Sequence, residues 1–309
     1  MRHIGAIPAS LLGLALAGCG PVTPGGAELL PLRLSFSQLV PIERRYGHYE
    51  AWARVGGQAV SLGRFDRTED GVPVGLGGGK LPPEPVSAAA TEVFVTQEPP
   101  GDADARPSKQ VFLRGAIVGG EAVLRTPLTE AWREAKGVYI LDNPFTWQDG
   151  TDYNGIWFGY YDRDARAYQT GLTLPEAPDG TMYAGWVILK GVPLRVGKFR
   201  TALDNDDWGV YSGRTGASEL IDPVGRPMPG EDFFTNLPAG VETGPNKPNL
   251  GGATVIVSLE DATLAHEDQY PGPVRVLTAT VPEAPEHMKP YAFRNVVGEQ
   301  VPSGIASFQ

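Results

Sequence analysis

The side chains that could do chemistry are few and widely spaced. Histidines stand at positions 3, 48, 266 and 287. None forms an HxxH or HExxH pair, so the regular spacing of a zinc site is missing. No Gly-x-Ser-x-Gly elbow presents a nucleophilic serine. Gly75–Lys80, GLGGGK, ends like a phosphate loop but lacks the full spacing and a following helix, and reads as a plain loop. The best ion candidate is the run Asp204-Asn205-Asp206-Asp207-Trp208-Gly209. The carboxylates of Asp204, Asp206 and Asp207 suit a hard cation such as Ca²⁺. The run departs from an EF-hand loop at Trp208 and Thr215, where that loop needs a ligand, and an acidic turn is the plainer reading. The densest feature is aromatic: Tyr139, Phe145, Trp147, Tyr153, Trp157, Phe158, Tyr160, Tyr161 and Tyr168 lie within one short segment. Exposed, such rings stack sugars or anchor a protein partner, with Trp147, Trp157, Tyr160 and Tyr161 as the candidates. Buried, they are core, and alternating rings in strands point half inward.

The only cysteine, Cys19, closes Leu16-Ala17-Gly18-Cys19 behind Met1-Arg2-His3 and an apolar run from Ile4 to Leu16. A short positive start, an apolar stretch and small residues before a cleavage point describe an export signal. The apolar stretch is too short to span ~30 Å of hydrocarbon as a helix. The final tetrapeptide resembles a bacterial lipobox. That resemblance implies diacylglycerol on Cys19, a new N-terminus there and anchoring of the rest to a membrane. Several acyl chains, at ~0.8 kcal/mol per buried CH₂, hold a protein stably on a bilayer.

Elements must position these residues, and composition bounds what they are. The chain has 309 residues and a net charge of −10; residues 1–18 contain one Arg and no acid, so their removal leaves −11. An acidic surface argues against nucleic acid or anionic lipid as partner. With Cys19 lipidated no thiol is left for a disulfide. Forty glycines and 29 prolines, with many β-branched and aromatic residues, describe an all-β chain rich in turns.

A repeat organises it. Tyr49–Phe65, YEAWARVGGQAVSLGRF, aligns without gaps on Tyr183–Phe199, YAGWVILKGVPLRVGKF. Tyr49/Tyr183, Trp52/Trp186, Gly57/Gly191, Gly63/Gly197 and Phe65/Phe199 coincide. In each copy two apolar-rich runs flank a pair ending in Gly, the signature of a tight hairpin. Alternation puts Tyr49, Ala51, Ala53 and Val55 on one face and Trp52 on the other, both apolar enough for a buried strand. Pro193 cannot donate to a ladder, which places its strand at an edge. Downstream, Ala90–Glu98 parallels Ala253–Glu260, each followed by an acidic, Pro-containing turn and a further strand. The reading is internal duplication: two tandem antiparallel β-sandwich-like domains. The first spans 32–127, after a signal peptide (1–18) and a lipidated, flexible tether (19–31). The second spans 128–281, with an aromatic-rich extension and a long loop at 200–252. Residues 282–309 read as an extended tail.

The motif YEAW…AVSLGRF…ATEVFVTQEPPGD resembles the C-terminal, extracytoplasmic domain of anti-sigma-K factors. The matching residues are Tyr49, Trp52, Val60, Ser61, Gly63 and Phe65, then Val93, Val95, Thr96, Glu98 and Pro99. The resemblance covers 32–118 well and 168–281 more weakly. It implies a β fold and a cell-envelope setting. Anti-sigma activity is not expected, because the chain has neither a sigma-binding segment nor a second run of ~20 apolar residues.

The expectation is a non-catalytic, membrane-anchored envelope lipoprotein mediating structural or protein–protein contacts, without a cofactor other than a Ca²⁺ candidate. The alternative is a carbohydrate- or peptidoglycan-binding lipoprotein that uses the aromatic segment 139–168.

Overall fold

A computed structural model describes residues 28–67, 73–79, 81–82, 85–128, 130–142, 153–211, 228–233, 235–244, 247–263 and 270–309. Cys19 and Trp147 lie outside the described residues.

The described chain is all β apart from two 3-10 turns and one short helix, α1 (Val297–Gln300). In chain order the strands of the first part are β1 (Leu29–Leu30), β2 (Leu32–Ser37), β3 (His48–Val55), β4 (Gln58–Arg67), β5 (Pro73–Gly75), β6 (Val86–Ser87), β7 (Ala90–Glu98), β8 (Val111–Ala116) and β9 (Glu121–Leu124). Next come β10 (Lys136–Leu141), β11 (Gly155–Trp157), β12 (Gly159–Asp162), β13 (Ala167–Thr170), β14 (Leu172–Thr173), β15 (Thr181–Leu189), β16 (Val192–Phe199) and β17 (Gly230–Asp232). The last are β18 (Thr254–Asp261), β19 (Arg275–Thr280), β20 (Tyr291–Ala292), β21 (Arg294–Asn295) and β22 (Ser303–Phe308).

Two sheets carry the paired motifs, ordered β5-β4-β3-β7-β8 and β16-β15-β18-β19-β21. Their hairpins match in detail. Tyr49 pairs with Phe65 and Tyr183 with Phe199. A bulge falls between Ala51 and Trp52 in one and between Gly185 and Trp186 in the other. A second bulge recurs opposite the outer strand, at Val95/Thr96 and at Val257/Ser258. The turns are tight because Gly56-Gly57 and Lys190-Gly191 all take positive φ, as the Gly-ending pairs predict. Pro193 lies on β16, the edge strand.

Each sheet is covered by another. Sheet β2-β22-β9 packs on the first. Alternating Leu32, Leu34 and Phe36 face inward, and Phe36 stacks on Phe65 at 5.1 Å. Sheet β14-β10-β11-β17 packs on the second, and Phe158 meets Phe199 edge-on at 6.1 Å. Gly185 makes room for that ring: a Cβ there would lie 2.6 Å from Phe158. Most of the buried apolar residues of both sandwiches form one continuous cluster, with smaller ones around Trp157 and Trp186.

The C-terminal segment, expected to be an extended tail, carries three strands and α1. It crosses both sandwiches. β20 pairs with β10 and β21 with β19. The side-chain amide of Asn295 donates to the carbonyls of Trp132 (2.8 Å) and Ala135 (2.7 Å). β22 then inserts between β2 and β9. Its inward residues, Gly304 and Ala306, are small because Phe36 and Leu124 fill the space beneath. The composition of residues 282–309, spaced by prolines, hides this role. Only long-range pairing reveals it.

A Cβ at Gly304 would lie 2.7 Å from the Phe36 ring and 2.9 Å from the Ser35 carbonyl. Gly304→Val is therefore expected to cost about 1–3 kcal/mol through overpacking, read as a lowered denaturation midpoint. An unchanged midpoint would show that β22 is not seated as described.

Candidate functional site

Covering the outer face of each motif-bearing sheet requires a loop, and the same device pins both loops. On β7, Glu98 accepts from the backbone N–H of Ser108 at 2.9 Å. On β18, Glu260 accepts from the backbone N–H of Gly272 at 2.8 Å. The tryptophan of each hairpin feeds the same carboxylate. Trp52 donates its indole N–H to the Thr96 hydroxyl (2.8 Å), which bonds Glu98. Trp186 donates directly to Glu260 (3.0 Å), alongside Ser258 (2.5 Å). Both acids are buried. Burial pushes the Glu98 carboxyl up, against the pull of its Thr96 and Ser108 hydrogen bonds. Glu260 is compensated by the fully buried ammonium of Lys198, 3.6 Å away.

Between the two loops runs a groove with a cavity of about 310 Å³. The Tyr46 and Tyr270 rings, stacked at 5.1 Å, line it together with Glu98, Asp102, Arg106 and Lys109. The groove sits where the halves touch. The Tyr46 hydroxyl and the Arg45 guanidinium both donate to the carbonyl of Gly191, at the tip of the second hairpin (2.9 and 3.1 Å). The Gln110 side chain accepts from the Asp261 N–H at 3.0 Å.

Beside the groove, His48, Glu50 and Asp102 bring ligand atoms within 4.8 Å of one another, the one such trio among the described residues. His48 and Glu50 share a face of β3, and Asp102 arrives on the loop after β7. No local spacing announces that grouping. Arg64 already serves as its cation: it donates to Glu50 at 3.0 Å and to the Asp102 carboxylate at 3.2 Å. Burial and the Arg64 charge hold the His48 imidazole below its ordinary pKa. A metal would have to displace the guanidinium.

Comparison with family models, with curated proteins and with solved structures finds no match in any of the three.

The Ca²⁺ candidates are dispersed to separate tasks. Asp204 is exposed and caps the N–H of Thr201 at 3.2 Å. Asp206 is buried, accepting from Trp208 N–H (3.1 Å) and Gly230 N–H (2.9 Å). Asp207 accepts from Lys198 N–H (2.6 Å) and pairs with Arg195 (3.1 Å). The three carboxylates tie the turn to β16 and β17. They do not form a cage.

The aromatic candidates also part company. Trp157 is 2% exposed, because β11 lies inside a sheet and its ring packs with Ile140, Tyr168 and Met228. A sugar platform on Trp157 is therefore ruled out by burial. Tyr160 and Tyr161, on β12, are half-buried against the same cluster. Tyr139 and Phe158 belong to the main core.

Sequence reading misses a group of acids buried beneath these rings. Asp142 bonds the Tyr168 hydroxyl and His287 (2.8 Å). Asp232 accepts from the Trp157 indole at 3.3 Å. Glu231 and Asp206 are neighbours whose charges oppose each other. Burial, then that mutual repulsion, pushes Glu231 up to about 10. Burial raises Asp206 to about 8.

These shifts fix a pH dependence. The folded state holds protons that the unfolded chain releases near pH 4, so folding binds protons over the interval between. Stability is expected to fall as pH rises from about 4 through about 8 and on toward about 10. Glu231→Gln supplies a permanently neutral isostere. In thermal melts across this range it should flatten the decline and raise the melting point at the alkaline end. A decline of unchanged slope would exclude Glu231 as its source.

Proposed function

We propose that this protein is a non-catalytic, exported lipoprotein, anchored to a bacterial membrane through lipid on Cys19, that works by surface contact at the groove between its two halves. The observation that carries the contact reading is the occupation of the groove's acids. Glu98 takes up the Ser108 N–H, Asp102 the Arg64 guanidinium and Asp104 the Arg106 N–H, so the groove's acids are engaged in holding its own loop. What faces the groove is a stacked tyrosine pair with Arg106 and Lys109 at hand. Aromatic anchors with Arg nearby are the usual makings of a protein contact. The anchoring reading rests on Leu16-Ala17-Gly18-Cys19 behind its apolar run. No helix among the described residues is long and apolar enough to cross a membrane.

We infer too that the halves arose by duplication. The paired bulges and the two Trp-to-Glu loop anchors support this, because local strand geometry alone does not demand either. The likeness to anti-sigma-K extracytoplasmic domains is proposed for the sandwich and its envelope setting, on the residues Tyr49, Trp52, Gly63 and Phe65 that also make the hairpin. The glycan-binding alternative is the weaker proposal, since Trp157 is out of reach of a sugar.

Cys19→Ser tests the anchor. The variant is expected to remain as an unprocessed precursor without incorporated lipid label. Normal processing and membrane retention would defeat the assignment.

A photocrosslinker at Lys109 in the anchored chain tests the contact. It should capture an envelope component in intact cells, and Arg106→Glu should abolish that capture without lowering the melting point. Capture unaffected by Arg106→Glu moves the contact surface elsewhere.

A further inference from the structure

A second cavity, of about 450 Å³, opens where the two sheets of the second sandwich meet at their edge. β18 and β19 supply one side; β10, β20 and β21 supply the other. Its size falls in the ~300–1,000 Å³ range of small-molecule sites. Its lining is unlike the rest of this acidic chain. The charged residues in it are Arg275 and Arg294, with no carboxylate among them. The junction groove, by contrast, carries Glu98, Asp102 and Asp104, and the cavity near Lys190 carries Glu242 and Glu283.

Two donors at this site have nothing to donate to. Tyr139 is 0% exposed, and its hydroxyl finds no hydrogen-bond partner among the described residues. The Nε of Arg275 is likewise buried without a partner, and its guanidinium makes no ion pair with a described residue. A buried donor left unmade costs about 1–3 kcal/mol. A buried group of this kind calls for a physical account, and a bound ion is one. Around them stand more donors. The Tyr291 hydroxyl accepts from the Glu286 N–H at 2.8 Å, which leaves its own proton to give. Arg294 bonds Glu299 through one nitrogen only. Burial raises the Tyr139 pKa to about 12, so the phenol stays a donor at neutral pH.

We propose that this cavity is a binding site for a small ligand carrying an oxyanion, phosphate or carboxylate, held by the Arg275 guanidinium and the Tyr139 hydroxyl. A planar guanidinium fits either group through paired hydrogen bonds. The proposal is independent of the lipid-anchor and groove-contact readings, and its failure would leave both of them standing.

The test is thermal unfolding of the full chain in sodium phosphate, sodium acetate or sodium chloride at matched ionic strength. Phosphate, acetate or both should raise the melting point saturably above chloride. A response to one alone names the class of oxyanion. Arg275→Gln should weaken the apparent affinity at least about tenfold, the loss of a charge-assisted bond. Tyr139→Phe removes only an unpartnered hydroxyl. Without ligand it should melt no lower than the parent, while its oxyanion response shrinks. Three results overturn the proposal: melting points equal in all three salts, an oxyanion response retained by both variants, or a clear loss of stability in ligand-free Tyr139→Phe.

Discussion

The last strand of the chain closes its first sandwich, and this closure constrains everything between. β22 lies between β2 and β9, paired to each along its length. Without it, both neighbours would present open ladders and the Phe36–Phe65 stack would lose its cover. A chain whose end must return to its beginning cannot let its two halves drift apart. The returning segment is also stitched to the second sandwich on the way, through β20, β21 and Asn295. The contacts at Gly191 and Asp261 are then brought together at high effective concentration, and each weak bond is made because its partners are already held. The junction groove is a product of this closure.

A second constraint comes from strands with two buried faces. Trp52 and Trp186 point away from the main core yet are fully buried. Something must cover them, and loops are poor cover because their backbone groups need partners. The fold resolves this with a carboxylate one strand over, whose Oε1 accepts both from the indole side of the network and from the loop N–H. The two halves neutralise that charge differently. Lys198 approaches Glu260 directly, whereas its counterpart Arg64 turns to Glu50 and Asp102. This divergence leaves Glu98 at the groove without a cationic partner among the described residues and builds the His48–Glu50–Asp102 group, the one such trio among them.

What could be read from sequence was local. The hairpin register, the positive-φ turns, the edge position of Pro193 and the strands Ala90–Glu98 and Thr254–Asp261 follow from alternation, glycine placement and repetition. Long-range partnership was not legible. Nothing about Ser303–Phe308 says that it pairs with Leu32–Ser37, since Gly304 and Ala306 carry almost no hydrophobic signal. The acidic run at Asp204–Asp207 looks like a cation site because sequence shows the charges and hides the N–H groups that take them up. Aromatic density at 139–168 marks a core sheet, since Trp157 on an interior strand has both faces covered. The oxyanion cavity gathers residues from five strands and has no motif at all.

Electrostatics joins these features. At a net charge of −10 the molecule repels an approaching anion over about a Debye length, ~8 Å at physiological salt. An oxyanion cannot be steered to this surface from afar, so recognition must come from short-range donors in a place the acids do not reach. The edge cavity comes nearest to that condition: its lining has two arginines and no carboxylate, and the acid that meets one of them, Glu299, is bonded to Arg294. Buried acids elsewhere follow the same logic from the other side. Asp206 and Glu231 hold protons at neutral pH because a low-dielectric interior with a like charge nearby favours the neutral form. The fold thus spends its ionised acids on loop N–H groups, on arginines and on Lys198, keeps Asp206 and Glu231 neutral, and sets the Arg275 guanidinium, which pairs with no described acid, at the cavity where an anion can meet it.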